Sequence, residues 1–152
     1  MLGTANRQLG VPYRWRGTTP ENGFDCSGFV KYVFSRHAVE LPRTSRQQVQ
    51  VGRGVSRRPS SLQPGDLMFF ASERGRIDHV AIYAGTNRII HATASGGGVR
   101  YDDLSTPRGR WFARRHVASR RVLENGRTLV RQLDAALHVS AALDPPDVAP
   151  KP

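Results

Sequence analysis

Residues 78–92 constrain the fold more tightly than any other stretch of the chain. Two runs rich in apolar and β-branched residues, 78–84 and 88–92, flank the tripeptide Gly85-Thr86-Asn87, which favours a chain reversal, so the segment reads as an antiparallel hairpin. It carries two histidines. A three-residue loop centred on Thr86 sets Ala84 opposite Arg88, Ala81 opposite His91 and His79 opposite Thr93. On that register both imidazoles share one face as diagonal neighbours, close enough to hydrogen-bond each other. A two-residue loop sends them to opposite faces.

Upstream, Phe29, Val30, Val33 and Phe34 recur with helical period. Asp25 stands where an N-cap belongs, which puts Cys26, the single cysteine, in the first turn. Unpaired backbone N–H groups and the positive end of the helix dipole favour a thiolate there, the form that attacks carbonyl carbons. An isolated cysteine is more often a small buried hydrophobe. Close glycines, polar neighbours and the downstream histidines turn the reading towards chemistry. His79 is then the general base that takes the proton of Cys26 and returns it to a leaving amine, and His91 orients its ring and fixes its tautomer. This reading requires the sulfur and both rings to converge in one solvent-reachable notch. A zinc site competes, but the chain offers one thiol, no short Cys or His spacing and no obvious completing carboxylate. Neither a metal nor another cofactor is expected.

Six ordered blocks carry a further signal: Leu9-Gly10-Val11-Pro12-Tyr13-Arg14-Trp15, Asp25-Cys26-Ser27-Gly28-Phe29-Val30, Leu41-Pro42-Arg43-Thr44-Ser45, Gln63-Pro64-Gly65-Asp66-Leu67-Met68-Phe69-Phe70, His79-Val80-Ala81-Ile82-Tyr83 and Ile90-His91-Ala92. Over residues 5–118 the chain resembles the NlpC family of bacterial cell-wall cysteine peptidases. The resemblance implies a papain-like α+β fold, with the catalytic cysteine at the start of a helix packed on an antiparallel sheet. It also implies hydrolysis of peptidoglycan stem or cross-link peptides, usually between γ-D-glutamate and the diamino acid that follows, through a thioester acyl-enzyme. By the same resemblance Cys26, His79 and His91 are the catalytic set, and Tyr13 aims its hydroxyl at the developing oxyanion beside a backbone N–H of the helix start. Trp15, Asp25, Ser27 and Ser45 match positions that line the substrate groove. Each has a plainer role available: Tyr13 and Trp15 as packing aromatics, Asp25 as a cap only. Arg43 reads by default as a solvated surface cation.

Three positions depart from the family pattern. Arg16-Gly17 replaces two glycines and puts a long cation near the groove entrance, and Ala81 replaces a glycine, setting a methyl on the histidine face. Thr44 stands where relatives that trim free stem peptides carry an aspartate for an α-amine. A free amine is therefore not an implied requirement.

The 152 residues suit one domain. Residues 1–118 form the peptidase unit, 119–143 a strand end and an amphipathic helical extension, and 144–152 a disordered tail. In the extension, Leu129, Val130, Leu133, Ala136, Leu137 and Ser140 repeat with helical period. That stripe either packs back on the domain or meets a partner. Residues 51–65 read as a loop between the helical first half and the sheet, with Pro64-Gly65 turning into a strand at 66–70. Residues 99–101 and 111–117 read as further strands, the last anchored in the core by Trp111 and Phe112. A net charge of +11, mostly arginine, attracts polyanions, which suits the anionic cell wall and equally nucleic acid. No nucleic-acid reading motif accompanies it, and no specific nucleic-acid partner is expected. With no transmembrane run or signal peptide, the chain reads as a trimmed form, or as one that a phage tail or toxin-secretion apparatus delivers to the wall. Its expected location is the periplasm or cell exterior. A non-catalytic wall-binding module on the same scaffold is the alternative function.

Overall fold

In the computed structural model, which describes residues 1–124 and 127–129, the chain opens with a short helix α1 (Leu2–Asn6) and a ribbon of β1 (Thr18–Thr19) and β2 (Gly23–Phe24). Two helices follow, α2 (Cys26–Ser35) and α3 (Ser45–Gln48). Then come β3 (Arg53–Val55), β4 (Leu67–Ala71), β5 (Ile77–Gly85), β6 (Arg88–Thr93), β7 (Gly98–Asp103), α4 (Pro107–Ala113) and β8 (His116–Arg121). A second ribbon of β9 (Leu123–Glu124) and β10 (Arg127–Thr128) ends the described chain. Strands β3 to β8 build one antiparallel sheet in the order β3-β8-β4-β5-β6-β7. Helices before an antiparallel sheet make the α+β arrangement anticipated from the sequence.

Both faces of the central strands are buried. The helix α2 packs on β5 and β6, and its fully buried Phe29, Val30, Val33 and Phe34 join Val80, Ile82, Ile90 and Ala92 in one cluster. Each of the Phe, Val and Ile side chains contributes about 1.5–3 kcal/mol when taken from water. On the opposite face Phe70, Ala81 and Ile89 are covered by Leu104 and by Phe112 of α4. Burial on both faces explains why β4 reads as a continuous apolar run, not an alternating one.

Three local expectations need correction. Residues 111–117 are not one strand: 111–113 finish α4, and β8 begins only at His116. Thr106 accepts a hydrogen bond from the Gly109 N–H at 3.0 Å and Pro107 occupies the first turn, a start signal that outweighs the strand preference of the aromatic pair. Phe112 is still a core anchor, but from the helix, while Trp111 stacks under the Arg115 guanidinium at 3.9 Å. Residues 51–65 are not all loop, because β3 forms the sheet edge, with Arg53, Gly54 and Val55 opposite Arg121, Arg120 and Ser119. Three residues, two of them exposed, are too few to show a period.

The hairpin tip differs as well. Gly85, not Ala84, pairs with Arg88, and Thr86 and Asn87 form a two-residue turn with φ of 49° and 61°, the sign a type I′ turn needs. A bulge between Tyr83 and Gly85 adds back one residue, so Tyr83 opposes Ile89 and Ile82 opposes Ile90. Turn and bulge together give the parity of a three-residue loop.

Among the described arginines, Arg121 is buried. Arg121 donates to both carboxylate oxygens of Asp66 at 2.8 Å, tying the end of β8 to the entry of β4. The strand end expected from residue 119 is the close of β8, whereas the proposed helical stripe from Val130 onward and the tail 144–152 lie outside the described residues.

Candidate active site

Asp25 caps α2 as expected, with its Oδ1 accepting from the Gly28 N–H at 2.7 Å. It does more than cap. Arg43 donates to Oδ1 at 3.1 Å and to Oδ2 at 2.7 Å, and also reaches the Ser27 hydroxyl at 3.0 Å. Asp25 has no solvent exposure, so this bidentate cation is what balances its charge. Arg43 is therefore not the solvated surface cation that default reasoning assigned; its partner lies 18 residues away, where no local pattern reports it.

Cys26 takes the first position of α2, and its Sγ stands 3.9 Å from the carbonyl oxygen of Asp78, the residue that precedes His79. The loop before β1 closes over this helix start. Gly17 N–H donates to Arg14 O, and Gly17 O accepts from the Asp25 N–H at 3.1 Å. A Cβ on Gly28 would sit 2.0 Å from Gly17 O, so only glycine there allows the approach.

The expectation of a solvent-reachable notch does not hold for this conformation. Cys26, His79 and His91 have no accessible surface, and Cys26 belongs to the α2 core cluster.

The two histidines share one face and touch. His79 Nε2 and His91 Nδ1 are 2.7 Å apart, and His91 Nε2 lies 2.7 Å from Asp102 Oδ2. Asp102 is held in turn by Arg108 of α4, whose Nε is 3.1 Å from each carboxylate oxygen, and by Arg100 at 3.2 Å. His79 Nδ1 is buried and makes no hydrogen bond among the described residues. Phe112 and Phe70 wall the pair, with Phe112 centred 5.3 Å from the His79 ring and 4.9 Å from His91. In this apolar setting burial holds both imidazoles below their ordinary pKa; His79 lies well below, with His91 and Arg108 adding to the effect, and His91 is lowered further by Arg108 and Arg100. For His91 the Asp102 hydrogen bond and charge oppose that lowering without cancelling it. Burial alone would raise the Asp102 carboxyl, but His91 and Arg108 outweigh it and hold it below the usual range.

Asp102 is the residue that sequence reasoning missed. Ending the strand at Tyr101 left it in a loop; β7 runs on to Asp103, which sets Asp102 opposite Ile89 and diagonal to His91. Continuing the alternation of β7 by two residues from Arg100, the partner of His91, would have found it.

The other expected positions fall around the helix start. Tyr13 is half-buried and pairs with Phe24 in a parallel bridge, fixed by Arg14 N–H to Phe24 O and Phe24 N–H to Pro12 O. Trp15 is 44% exposed, and Arg16 beside it has a φ of 64°. Ser27 and Ser45 are buried at the starts of α2 and α3. Thr44 caps α3 by accepting from the Gln47 N–H, and Ala81 sits in the cluster beside Phe70 and Phe112. Among the described residues, no group of three or more His, Cys, Asp or Glu is placed to hold a metal ion, and no helix is long and apolar enough to cross a membrane.

Comparison with known proteins gives consistent results. Residues 10–121 match the family model described as "NlpC/P60 family". The chain is 35% identical over 119 residues to the murein DD-endopeptidase MepH of Escherichia coli (strain K12), covering 77% of this chain and 43% of that protein. It is 38% identical over 109 residues to a gamma-D-glutamyl-L-lysine dipeptidyl-peptidase of Bacillus cereus, covering 70% and 32%. It thus spans less than half the length of either relative. A crystal structure of an NlpC/P60 family protein from Bacillus cereus superposes with a TM-score of 0.73 at 36% identity, covering 81% of this chain and 39% of that one.

Proposed function

Because the chain belongs to the NlpC/P60 family, we propose that it is a cysteine endopeptidase acting on peptidoglycan stem or cross-link peptides, at the bond between γ-D-glutamate and the diamino acid. One observation carries this reading: the hydrogen-bonded pair His79 and His91 ends at an uncommitted buried nitrogen, on the residue next to the carbonyl that Cys26 Sγ approaches. The relatives named above support peptidoglycan as substrate. Their names give different bonds, so the choice of bond rests on the family resemblance.

The mechanism assigns His79 Nδ1 to take the proton of Cys26 as sulfur attacks the scissile carbonyl. His91 holds the ring. The tetrahedral oxyanion is met by a backbone N–H of the α2 start and by the Tyr13 hydroxyl. His79 then returns its proton to the leaving amine, and water hydrolyses the thioester by the reverse sequence. Trp15 is the exposed wall of the groove, while Asp25, Ser27 and Ser45 shape it from beneath through Arg43 and the two helix starts. Thr44 is consumed as a cap and brings no carboxylate, which favours an endopeptidase over an enzyme that anchors a free amine. The site of action is the cell wall, in the periplasm or outside the cell.

The complete burial of Cys26 favours a second reading, a wall-binding module without turnover. Purified peptidoglycan, or a γ-D-glutamyl-diaminopimelate peptide, incubated with the protein and with Cys26→Ala separates the two. New fragments by mass spectrometry with the native protein alone support the peptidase. Tight binding with no fragments from either protein supports the module.

A further inference from the structure

Nothing in a pair of touching imidazoles decides which way the protons point. Between His79 Nε2 and His91 Nδ1 either nitrogen can donate, and the two choices are chemically opposite. If His91 donates, neutral His79 carries its proton on Nδ1 and has no lone pair there to act as a base. If His79 donates, Nδ1 is bare. The group that breaks this tie lies beyond His91, at its other nitrogen.

We infer that Asp102 is a positioning residue that orders the protons along His91 and His79, and that Arg108 locks its carboxylate for that task; this rests on the peptidase reading above. An ionised carboxylate only accepts, so His91 Nε2 must donate to Asp102 Oδ2 across their 2.7 Å contact. A neutral imidazole has one N–H. His91 Nδ1 is then a lone pair, and it accepts from His79 Nε2–H across the second 2.7 Å contact. The lone pair of His79 is left on Nδ1, the buried nitrogen with no hydrogen bond among the described residues. One carboxylate, two rings away, thus sets the base.

Two features keep the order from reversing. Arg108 binds both carboxylate oxygens and also donates to the Thr93 hydroxyl at 3.3 Å, so Asp102 cannot rotate away from His91 without breaking both contacts. The rings and the carboxylate are almost wholly buried, which leaves no solvent to supply an alternative partner. The lowered pKa of both rings and of Asp102 fits a carboxylate facing two neutral imidazoles.

The test reads tautomers directly, by long-range 1H–15N correlation on protein labelled in histidine at neutral pH. The expected result is Nε2–H on both His79 and His91. In Asp102→Asn, Arg108 and Arg100 claim the amide oxygen and turn the NH2 towards His91 Nε2. Both rings should then switch to Nδ1–H, with kcat falling about 10²-fold or more and KM little changed. Asp102→Glu, which restores a carboxylate, should recover the native tautomers and part of kcat. Mixed tautomers or Nδ1–H on His79 in the native protein overturn the inference, as does an Asp102→Asn protein with native tautomers and native kcat. If Asp102→Asn does not fold, the native spectrum alone decides. Expected tautomers in a protein that cleaves nothing leave the proton order standing and defeat the peptidase reading instead.

Discussion

Substituting Gly28 by alanine sets two structural effects against each other, and their sizes give the sign. In a helix, alanine is favoured over glycine by up to about 1 kcal/mol, so propensity alone makes Gly28→Ala stabilising. The packing says otherwise. The added Cβ would lie 2.0 Å from Gly17 O and 2.9 Å from Asp25 Oδ1, and the first of these is backbone, which cannot rotate aside. Gly17 must retreat, and its 3.1 Å hydrogen bond from the Asp25 N–H goes with it, costing about 1 kcal/mol. Overpacking costs roughly 1–3 kcal/mol, and a weakened cap from Asp25 to the Gly28 N–H about 1 kcal/mol more. The net is a destabilisation of about 2–4 kcal/mol. For a chain of this size that lowers Tm by roughly 5–15 °C. Urea denaturation and thermal melting of the two proteins measure it. A Gly28→Ala protein as stable as the native one, or more so, refutes the claim that the loop ending at Gly17 is seated on the helix start.

Other perturbations follow from the same geometry. Arg43→Ala strips a buried carboxylate of its partner and should cost about 2–4 kcal/mol by chemical denaturation, with Arg43→Lys recovering only part because it cannot bind both oxygens. Arg16→Gly should raise stability by about 0.5–1 kcal/mol in the same assay, since φ of 64° strains any residue with a Cβ. Stability should fall as pH drops below 6.5, the ordinary histidine value, because His79, His91 and His116 are held below it by burial. Well above 6.5 these rings are neutral in both states. Below it the unfolded chain takes up protons that the folded rings refuse, at up to about 1.4 kcal/mol per pH unit for each ring, until the folded rings themselves protonate. Melting curves between pH 7.5 and about 5 check the sign; a flat profile contradicts neutral buried rings.

The sequence reveals most where local patterning and local chemistry coincide. Asp25 as cap, Cys26 in the first turn and the stripe from Phe29 to Phe34 all follow from one helical period with a capping residue before it. The histidine pair was also legible, though through a turn of different construction: a two-residue reversal plus a bulge has the parity of the three-residue loop, so the face is right while the partner of Arg88 is not. What escaped is non-local. Asp102 matters because β7 lies beside β6, and Arg43 because its loop returns to Asp25; neither adjacency leaves a periodic trace. α4 was misread because Trp111 and Phe112 carry strand preference that the Thr106-Pro107 start overrides. Burial of the sulfur is the default for a lone cysteine, and the neighbouring glycines and histidines, which turned the reading towards an accessible thiol, carry no information on how tightly the site is closed.

The most direct measurement of the account is capture of the acyl-enzyme. A γ-D-glutamyl-diaminopimelate peptide mixed with the protein, quenched in acid within the first turnovers and analysed by intact-mass and peptide mass spectrometry, should show the acyl fragment as a thioester on Cys26, absent from Cys26→Ala. Product formation that continues in Cys26→Ala, or an acyl group found on any other residue, contradicts a mechanism built on this sulfur and the two imidazoles behind it.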